Sequence, residues 1–361
     1  MPNQDLISIV FRSEIRSLSA YHVADAHGLI KLDAMENPYG LPDDINQRWL
    51  QTLSHCPLNR YPDPSARPLQ QTIKQTDKIQ DDLGILLGNG SDEIIQMLLL
   101  ALPPESSVLT VEPGFVMYRQ IAQSLGLNFQ SIPLSAETFD LDLTAMLTAI
   151  HALQPSIIFL AYPNNPTGNL FSENKIHQII AAAPGLVIID EAYAPFADAS
   201  MLGELTRYEN LMVMRTLSKM GLAGLRLGYI YGQRDLITEL DKIRLPYNIN
   251  SLTQISAQFA LENAGLFNKQ AATICRERQL LYERLVNLQT IQIYPSAANF
   301  ILLRTAKGQA EQLFQVLLNN GILIKNLSPQ GGMLRDCLRV TLGSPDENSA
   351  FLNVFTQALG N

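Results

Sequence analysis

Cysteine is scarce in this chain, and nothing in its placement suggests pairing. Cys56, Cys275 and Cys337 are scattered and odd in number, with no CxxC spacing. This excludes a disulfide framework and suits reduced thiols in a core. Positive charge is also in short supply. Lys and Arg total 26 against 34 Asp and Glu, a formal net charge of -8. That balance argues against nucleic acid as a partner and leaves no basic face for a membrane. Long apolar runs are missing as well. The longest, around Ile94 to Leu102, is too short to span a bilayer. The first residues are interrupted by Asp5, Arg12 and Glu14 and lack the apolar core of a signal peptide, so the expected location is the cytoplasm. The five histidines (His22, His27, His55, His151 and His177) show no metal-binding spacing, and there is neither a P-loop nor a G-x-S-x-G elbow.

What is present is ample chain. The 361 residues, 47% of them hydrophobic, match an ordinary soluble protein, with material for roughly two domains and a real core. Residues 1–34 read as an arm with a short helix. The loop Met35–Gly40 and a Pro-rich extended passage at Arg60–Pro64 follow. From Leu83 the pattern alternates. A strand leads through a Gly-rich turn at Gly88–Gly90 to a helix opening at Ser91, Asp92 and Glu93. Strands are predicted at Ser107–Val111, Asn128–Ile132, from Ser156, from Gly185 and at Leu211–Thr216, with helices between them. This predicts a mostly parallel sheet with helices on both faces. A long amphipathic helical passage, Leu252–Leu288, leads to a smaller α/β region that the N-terminal segment is expected to join. The expected division is 1–34 as arm, 35–250 as large domain, and 251–361 as linking helix and small domain.

In a parallel sheet, ligands gather beyond the carboxyl ends of the strands. Asn165, Asp190 and Lys219 all fall just past such ends. A lysine held away from water has a lowered pKa, and its free amine can form a Schiff base with an aldehyde. Arg226 follows in a Gly-rich turn and can grip an anion by two bonds at once, with Thr216 and Ser218 as hydroxyl donors. A Schiff-base lysine beside a phosphate-gripping arginine suits an aldehyde cofactor carrying a phosphate, a description that pyridoxal phosphate (PLP) fits. Taken singly, each residue has a plainer reading. A lysine at a strand end is usually solvated, Asp190 suits a helix cap, Asn165 before proline suits a turn, and Tyr61 and Phe115 suit packing. Arg335 and Lys325 suit solvated charges.

The motifs together are more specific. NPTG at Asn165–Gly168, DEAY at Asp190–Tyr193, SK at Ser218–Lys219 and GLR at Gly224–Arg226 follow the order and rough spacing of the fold-type I PLP-dependent aminotransferases, which this chain resembles. MENPYG, RYPDP, GNGSDE, PNNPTG, RTLSK, GLAGLRLGY and LRVTLG are similar, more narrowly, to the class II histidinol-phosphate aminotransferase subfamily, from about Leu18 onward. Threonine-phosphate decarboxylases and some aromatic aminotransferases are similar too, which keeps a lyase or an aromatic-amino-acid transaminase as alternatives.

The resemblance implies a large domain with a mostly parallel, seven-stranded-type sheet and a smaller C-terminal α/β domain. It implies transamination between histidinol phosphate and 2-oxoglutarate in histidine biosynthesis. Lys219 would carry the cofactor and the proton. Asp190 would pair with the pyridine nitrogen, and Tyr193 and Asn165 would reach the ring hydroxyl. Gly90, Ser91, Asp92, Thr216, Ser218 and Arg226 would hold the phosphate, with Asp92 capping the helix while its N–H binds. Phe115 would stack on the ring. Tyr61 would reach the site of a partner subunit in a homodimer. Arg339 would take the substrate anion, with Tyr21, Asn37, Asn299, Lys325 and Arg335 nearby. Two departures stand out: the Lys219–Gly221 turn is one residue shorter than in many aminotransferases, and Lys325 stands where some relatives place arginine.

Overall fold

The computed structural model describes residues 2–20 and 24–360, with side chains from Leu6 onward. Its strands, in chain order, are β1 (Ile30–Leu32), β2 (Leu83–Asn89), β3 (Ser107–Glu112), β4 (Asn128–Pro133), β5 (Ile157–Ala161), β6 (Leu186–Asp190), β7 (Leu211–Thr216), β8 (Leu227–Gln233), β9 (Gln292–Ile293), β10 (Phe300–Arg304), β11 (Ile322–Asn326) and β12 (Cys337–Thr341). They form a seven-stranded sheet of order β2-β8-β7-β6-β5-β3-β4 and a five-stranded sheet of order β1-β11-β12-β10-β9.

The central strands of the large sheet are apolar along most of their length, up to the polar residues at their carboxyl ends, because both faces are covered. Ile158, Leu160, Val187, Ile189, Leu211 and Val213 feed one core. Their alternating neighbours Ile157, Phe159, Ile188, Met212 and Met214 feed the other. Each such side chain contributes about 1.5–3 kcal/mol by leaving water. A strand exposed on one face would instead alternate apolar with polar.

One strand of this sheet runs counter to expectation. The passage from Gly224 to Tyr229 reads as a Gly-rich turn, yet Leu227–Gln233 forms β8, antiparallel to both β2 and β7. Its glycines permit close approach. A Cβ on Gly228 would sit 2.6 Å from the Ser91 backbone nitrogen and 2.7 Å from the Gly90 carbonyl carbon. The amphipathic passage after Leu252 is likewise two helices, Ser251–Glu262 and Ala264–Val286, broken at Asn263.

In the smaller sheet β1 pairs parallel with β11 from Ile30↔Ile322 to Leu32↔Ile324, while β10, β11 and β12 run antiparallel. Phe300, Ile301, Leu338, Val340, Phe351 and Phe355 build its core. The last helix, Pro345–Ala358, opens with a capping box between Ser344 and Glu347. Among the described residues no helix is long and apolar enough to cross a membrane.

Candidate active site

β5 runs into the loop that holds Asn165, β6 ends at Asp190, and β7 ends at Thr216, with Ser218 and Lys219 in the turn beyond. Adjacent parallel strands bring these ends together, and all five residues line one cleft. Met35, Ser91, Asp92, Phe115, Tyr193 and Arg226 complete much of its wall, which bounds about 560 Å³ of space including the mouth.

Lys219 lines this cleft. Its Nζ donates to the Ala34 carbonyl at 3.3 Å and lies 5.9 Å from the centre of the Tyr193 ring. Withdrawal from water lowers its pKa to about 8, and the Arg339 guanidinium reinforces the shift. Asp190 is buried. Its Oδ1 accepts from the Ala192 N–H at 3.1 Å and its Oδ2 from the Tyr118 hydroxyl at 2.6 Å. Burial pushes its carboxyl up to about 6, against the pull of those two bonds. A lysine with a lowered pKa and a buried carboxylate with a raised one, facing one cleft, mark a candidate functional site.

The opposite end of the cleft is suited to an anion. Gly90 takes φ +81° and starts the helix Ser91–Leu100, whose first N–H groups have no intrahelical partner. A Cβ on Gly90 would be strained at this φ and would meet the Arg226 guanidinium at 2.5 Å, so a side chain here would push the arginine from its place. Thr216 Oγ1 lies 2.9 Å from Ser218 Oγ. The expectation that Asp92 caps the helix is corrected: the cap position is Gly90, and the Asp92 carboxylate lies 3.3 Å from the Arg226 guanidinium. This pair is well exposed, so little free energy opposes its exchange for another anion.

A single segment crosses the cleft from the N-terminal side. The Asp33 carbonyl accepts from Arg339 at 2.9 Å, the Ala34 carbonyl from Lys219, and the Met35 carbonyl from Asn299 at 3.0 Å. The Met35 N–H donates to Thr341 Oγ1 at 3.0 Å, and Met35 itself is left-handed at φ +53°. Arg339 also donates to Asn165 Oδ1 at 2.6 Å, linking β12 to the end of β5. Asn37 donates to the Met220 carbonyl and to Gln270. Asn299 is fully buried, and its Oδ1 has no hydrogen-bond partner among the described residues.

Other anticipated residues lie further out. Lys325 is half-buried and is the cross-strand partner of Arg339, which puts two cations on one face of the small sheet. Arg335 is exposed and is not part of the cleft wall. Tyr61 is 81% exposed and stacks on Tyr247 at 4.4 Å. Tyr21 lies outside the described residues. Sequence reasoning missed Tyr118, which reads as one more aromatic on an amphipathic helix. It also missed the ion network behind the site, where Arg215 bridges Glu191 at 2.7 Å and Asp77 at 2.9 Å. The adjacent acid in DEAY and the arginine in RTLSK were its only signals.

A two-sheet α/β fold with a lysine and an acid at neighbouring strand ends defines a class, and the sequence match agrees. The chain belongs to the class I and II aminotransferase family, which matches residues 27–355. It is 55% identical over 350 residues, 97% of each chain, to histidinol-phosphate aminotransferase 2 of Nitrosococcus oceani. It is 44% identical over 343 residues to histidinol-phosphate aminotransferase of Vesicomyosocius okutanii, covering 95% of this chain and 96% of that one. Among solved structures, histidinol-phosphate aminotransferase from Clostridium acetobutylicum superposes with a TM-score of 0.84 at 25% identity, over 92% of this chain and all of that one. The enzyme from Sinorhizobium meliloti, in complex with pyridoxal-5'-phosphate, shares the fold with a TM-score of 0.86 at 22% identity, covering 97% and 98%.

Proposed function

We propose that this chain is a PLP-dependent transaminase that exchanges an amino group between histidinol phosphate and 2-oxoglutarate, yielding imidazole acetol phosphate and glutamate. The observation that carries the reading is Lys219, its pKa lowered to about 8, in one cleft with buried Asp190 and the Arg226 anion cradle. Near-full-length relatives bearing the name histidinol-phosphate aminotransferase support the substrate.

The donor set fits PLP. The open turn at Gly90, the Ser91 helix start, Thr216, Ser218 and Arg226 would hold the phosphate, with Asp92 yielding its contact to Arg226. Asp190 would face the pyridine nitrogen, Asn165 and Tyr193 the ring hydroxyl, and Phe115 the ring face. Bound PLP would supply an aldehyde for the amino group and a ring that withdraws electrons from the substrate carbon. A lowered pKa would serve Lys219 both in holding the cofactor and in taking a proton from the substrate carbon. The Tyr193 ring forms the cleft wall beside the amine, its centre 5.9 Å from the Lys219 Nζ. Arg339 would bind the substrate anion, with Lys325 beside it as a point charge, and Asn37 and Asn299 are further proposed substrate contacts. Arg335 would join them only through movement of its loop.

The exposed Tyr61–Tyr247 pair, together with exposed Leu58, Leu245 and Leu252, supports a homodimer in which Tyr61 reaches the partner's cofactor phosphate. The pairing of β1 with β11 supports grouping residues 1–34 with the small domain 251–361, leaving 35–250 as the large domain. The three free cysteines suit a cytoplasmic location.

The test is half-transamination. The PLP-loaded protein is given histidinol phosphate alone, and its visible absorbance band is followed. Loss of the band, reversed by 2-oxoglutarate, is the expected result. A band moved only by an aromatic amino acid would discard the substrate, and carbon dioxide released from a phosphorylated amino acid would replace transamination with a lyase reaction.

A further inference from the structure

Asp190 is held by a residue that no motif above includes. Tyr118 lies in the first turn of the helix Val116–Ser124 and is only 1% exposed. Its ring stacks on Phe159 of β5 at 4.6 Å and 12°, and meets Phe115 edge-on at 5.4 Å and 86°. These contacts fix the ring, so the direction of its hydroxyl is set by packing. That hydroxyl donates to Asp190 Oδ2 at 2.6 Å, a bond between residues 72 positions apart.

The geometry selects the charge state of the acid. Oδ1 faces the Ala192 N–H, which can only donate, so a proton on Oδ1 would point at another hydrogen. A proton on Oδ2 would cost the charge-assisted bond from Tyr118. Burial and nearby acids push the other way, and the phenol is itself held far above its usual pKa, so it remains a donor. Tyr118 is thus the principal side-chain counterweight to the desolvation of Asp190.

We infer that Tyr118 is a positioning residue for Asp190: it keeps that carboxylate ionised and aimed, so that the proton shared with a pyridine ring nitrogen stays on the ring. This rests on the PLP reading above and adds to it a residue that acts through Asp190 rather than on the substrate. The same side chain also braces Phe115, and so couples the ring's stacking face to the acid at its edge.

The experiment uses the full-length protein loaded with PLP enriched in nitrogen-15 at the ring, in wild type, in Tyr118→Phe and in a variant with 4-aminophenylalanine at position 118. In wild type the ring resonance is expected at its protonated position. In Tyr118→Phe it moves toward the unprotonated one, and kcat falls about tenfold or more with KM for the amino donor held, as the loss of a hydrogen bond to a charged group predicts. The aniline, a weaker donor of similar shape, gives an intermediate resonance; it also serves alone if Tyr118→Phe does not fold. A wild-type resonance in the variants, whatever their activity, would overturn the inference and leave Tyr118 as packing. Wild type that takes up no PLP would overturn the cofactor reading and this inference together, an outcome visible before any variant is compared.

Discussion

Replacing Arg215 by methionine should cost the fold more than any other single change to a charged residue behind the cleft. The guanidinium donates to Glu191 Oε2 at 2.9 and 2.7 Å and to Asp77 Oδ1 at 2.9 Å. The Glu191 side chain is 0% exposed and that of Asp77 10%. Asp77 would keep the Tyr229 and Tyr231 hydroxyls at 3.0 and 3.1 Å, so it stays served. Glu191 would keep Ser200 and the Met201 N–H but lose its only cation among the described residues. Removing one partner of a buried ion pair costs about 3–5 kcal/mol. The pH dependence has a definite sign. Burial already raises the Glu191 carboxyl above its ordinary value, and Arg215 is the chief influence opposing that rise. Without Arg215 the carboxyl climbs further, so the folded state takes up a proton that the unfolded state does not. Stability is then retained below the unfolded carboxyl's pKa of 4.5 and lost as pH rises through the higher folded one. Urea unfolding followed by circular dichroism from pH 5 to pH 8 reads both effects. A loss under about 1 kcal/mol, or one that grows as pH falls, would refute the account of an uncompensated buried acid. Adding Glu191→Gln to the methionine variant should recover much of the loss.

Three further outcomes are expected. In the cofactor-free protein, acylation of Lys219 by a neutral reagent, read by peptide mass, should reach half its maximum near pH 8, and Arg339→Leu should move that midpoint upward; a midpoint near the ordinary lysine value would contradict the burial argument. Gly90→Ala puts a methyl group 2.5 Å from the Arg226 guanidinium at a left-handed position and should weaken PLP about tenfold, within the 1–3 kcal/mol cost of such strain, so an unchanged Kd by absorbance titration counts against the anion cradle. Tyr61→Ala and Lys219→Ala should each be inactive alone, yet regain activity when their subunits are exchanged, because a mixed dimer holds one intact site; exchange without recovery would confine Tyr61 to its own subunit.

The centre of the site is legible in the sequence because it sits where secondary structure is most regular. The apolar runs of β5, β6 and β7 end abruptly, and Asn165, Asp190 and Lys219 are the polar residues at those ends. Where spacing is not the signal, the reading thins. β8 is hidden because Gly228 and Gly232, which let it pass close to the Gly90 turn and to Met212, punctuate the strand as a loop would. The helix break at Asn263 depends on a local main-chain turn that amphipathic periodicity does not register. Tyr118 cannot be told from a core aromatic until a partner 72 residues away is placed against its hydroxyl. Asp92 sits in a sequence typical of a cap, but Gly90 has already taken the cap position.

The segment 33–35 grips three functional side chains with carbonyl oxygens alone. Main-chain carbonyls are the same whatever residue bears them, so point substitutions along this stretch leave the bonds available, provided the backbone keeps its path. The deletion of a single residue, by contrast, would move every carbonyl out of register with Arg339, Lys219 and Asn299 at once. Drift in this part of the protein should therefore be wider in amino-acid identity than in length, and narrowest at Met35, whose left-handed φ of +53° and place in the cleft wall restrict what can stand there.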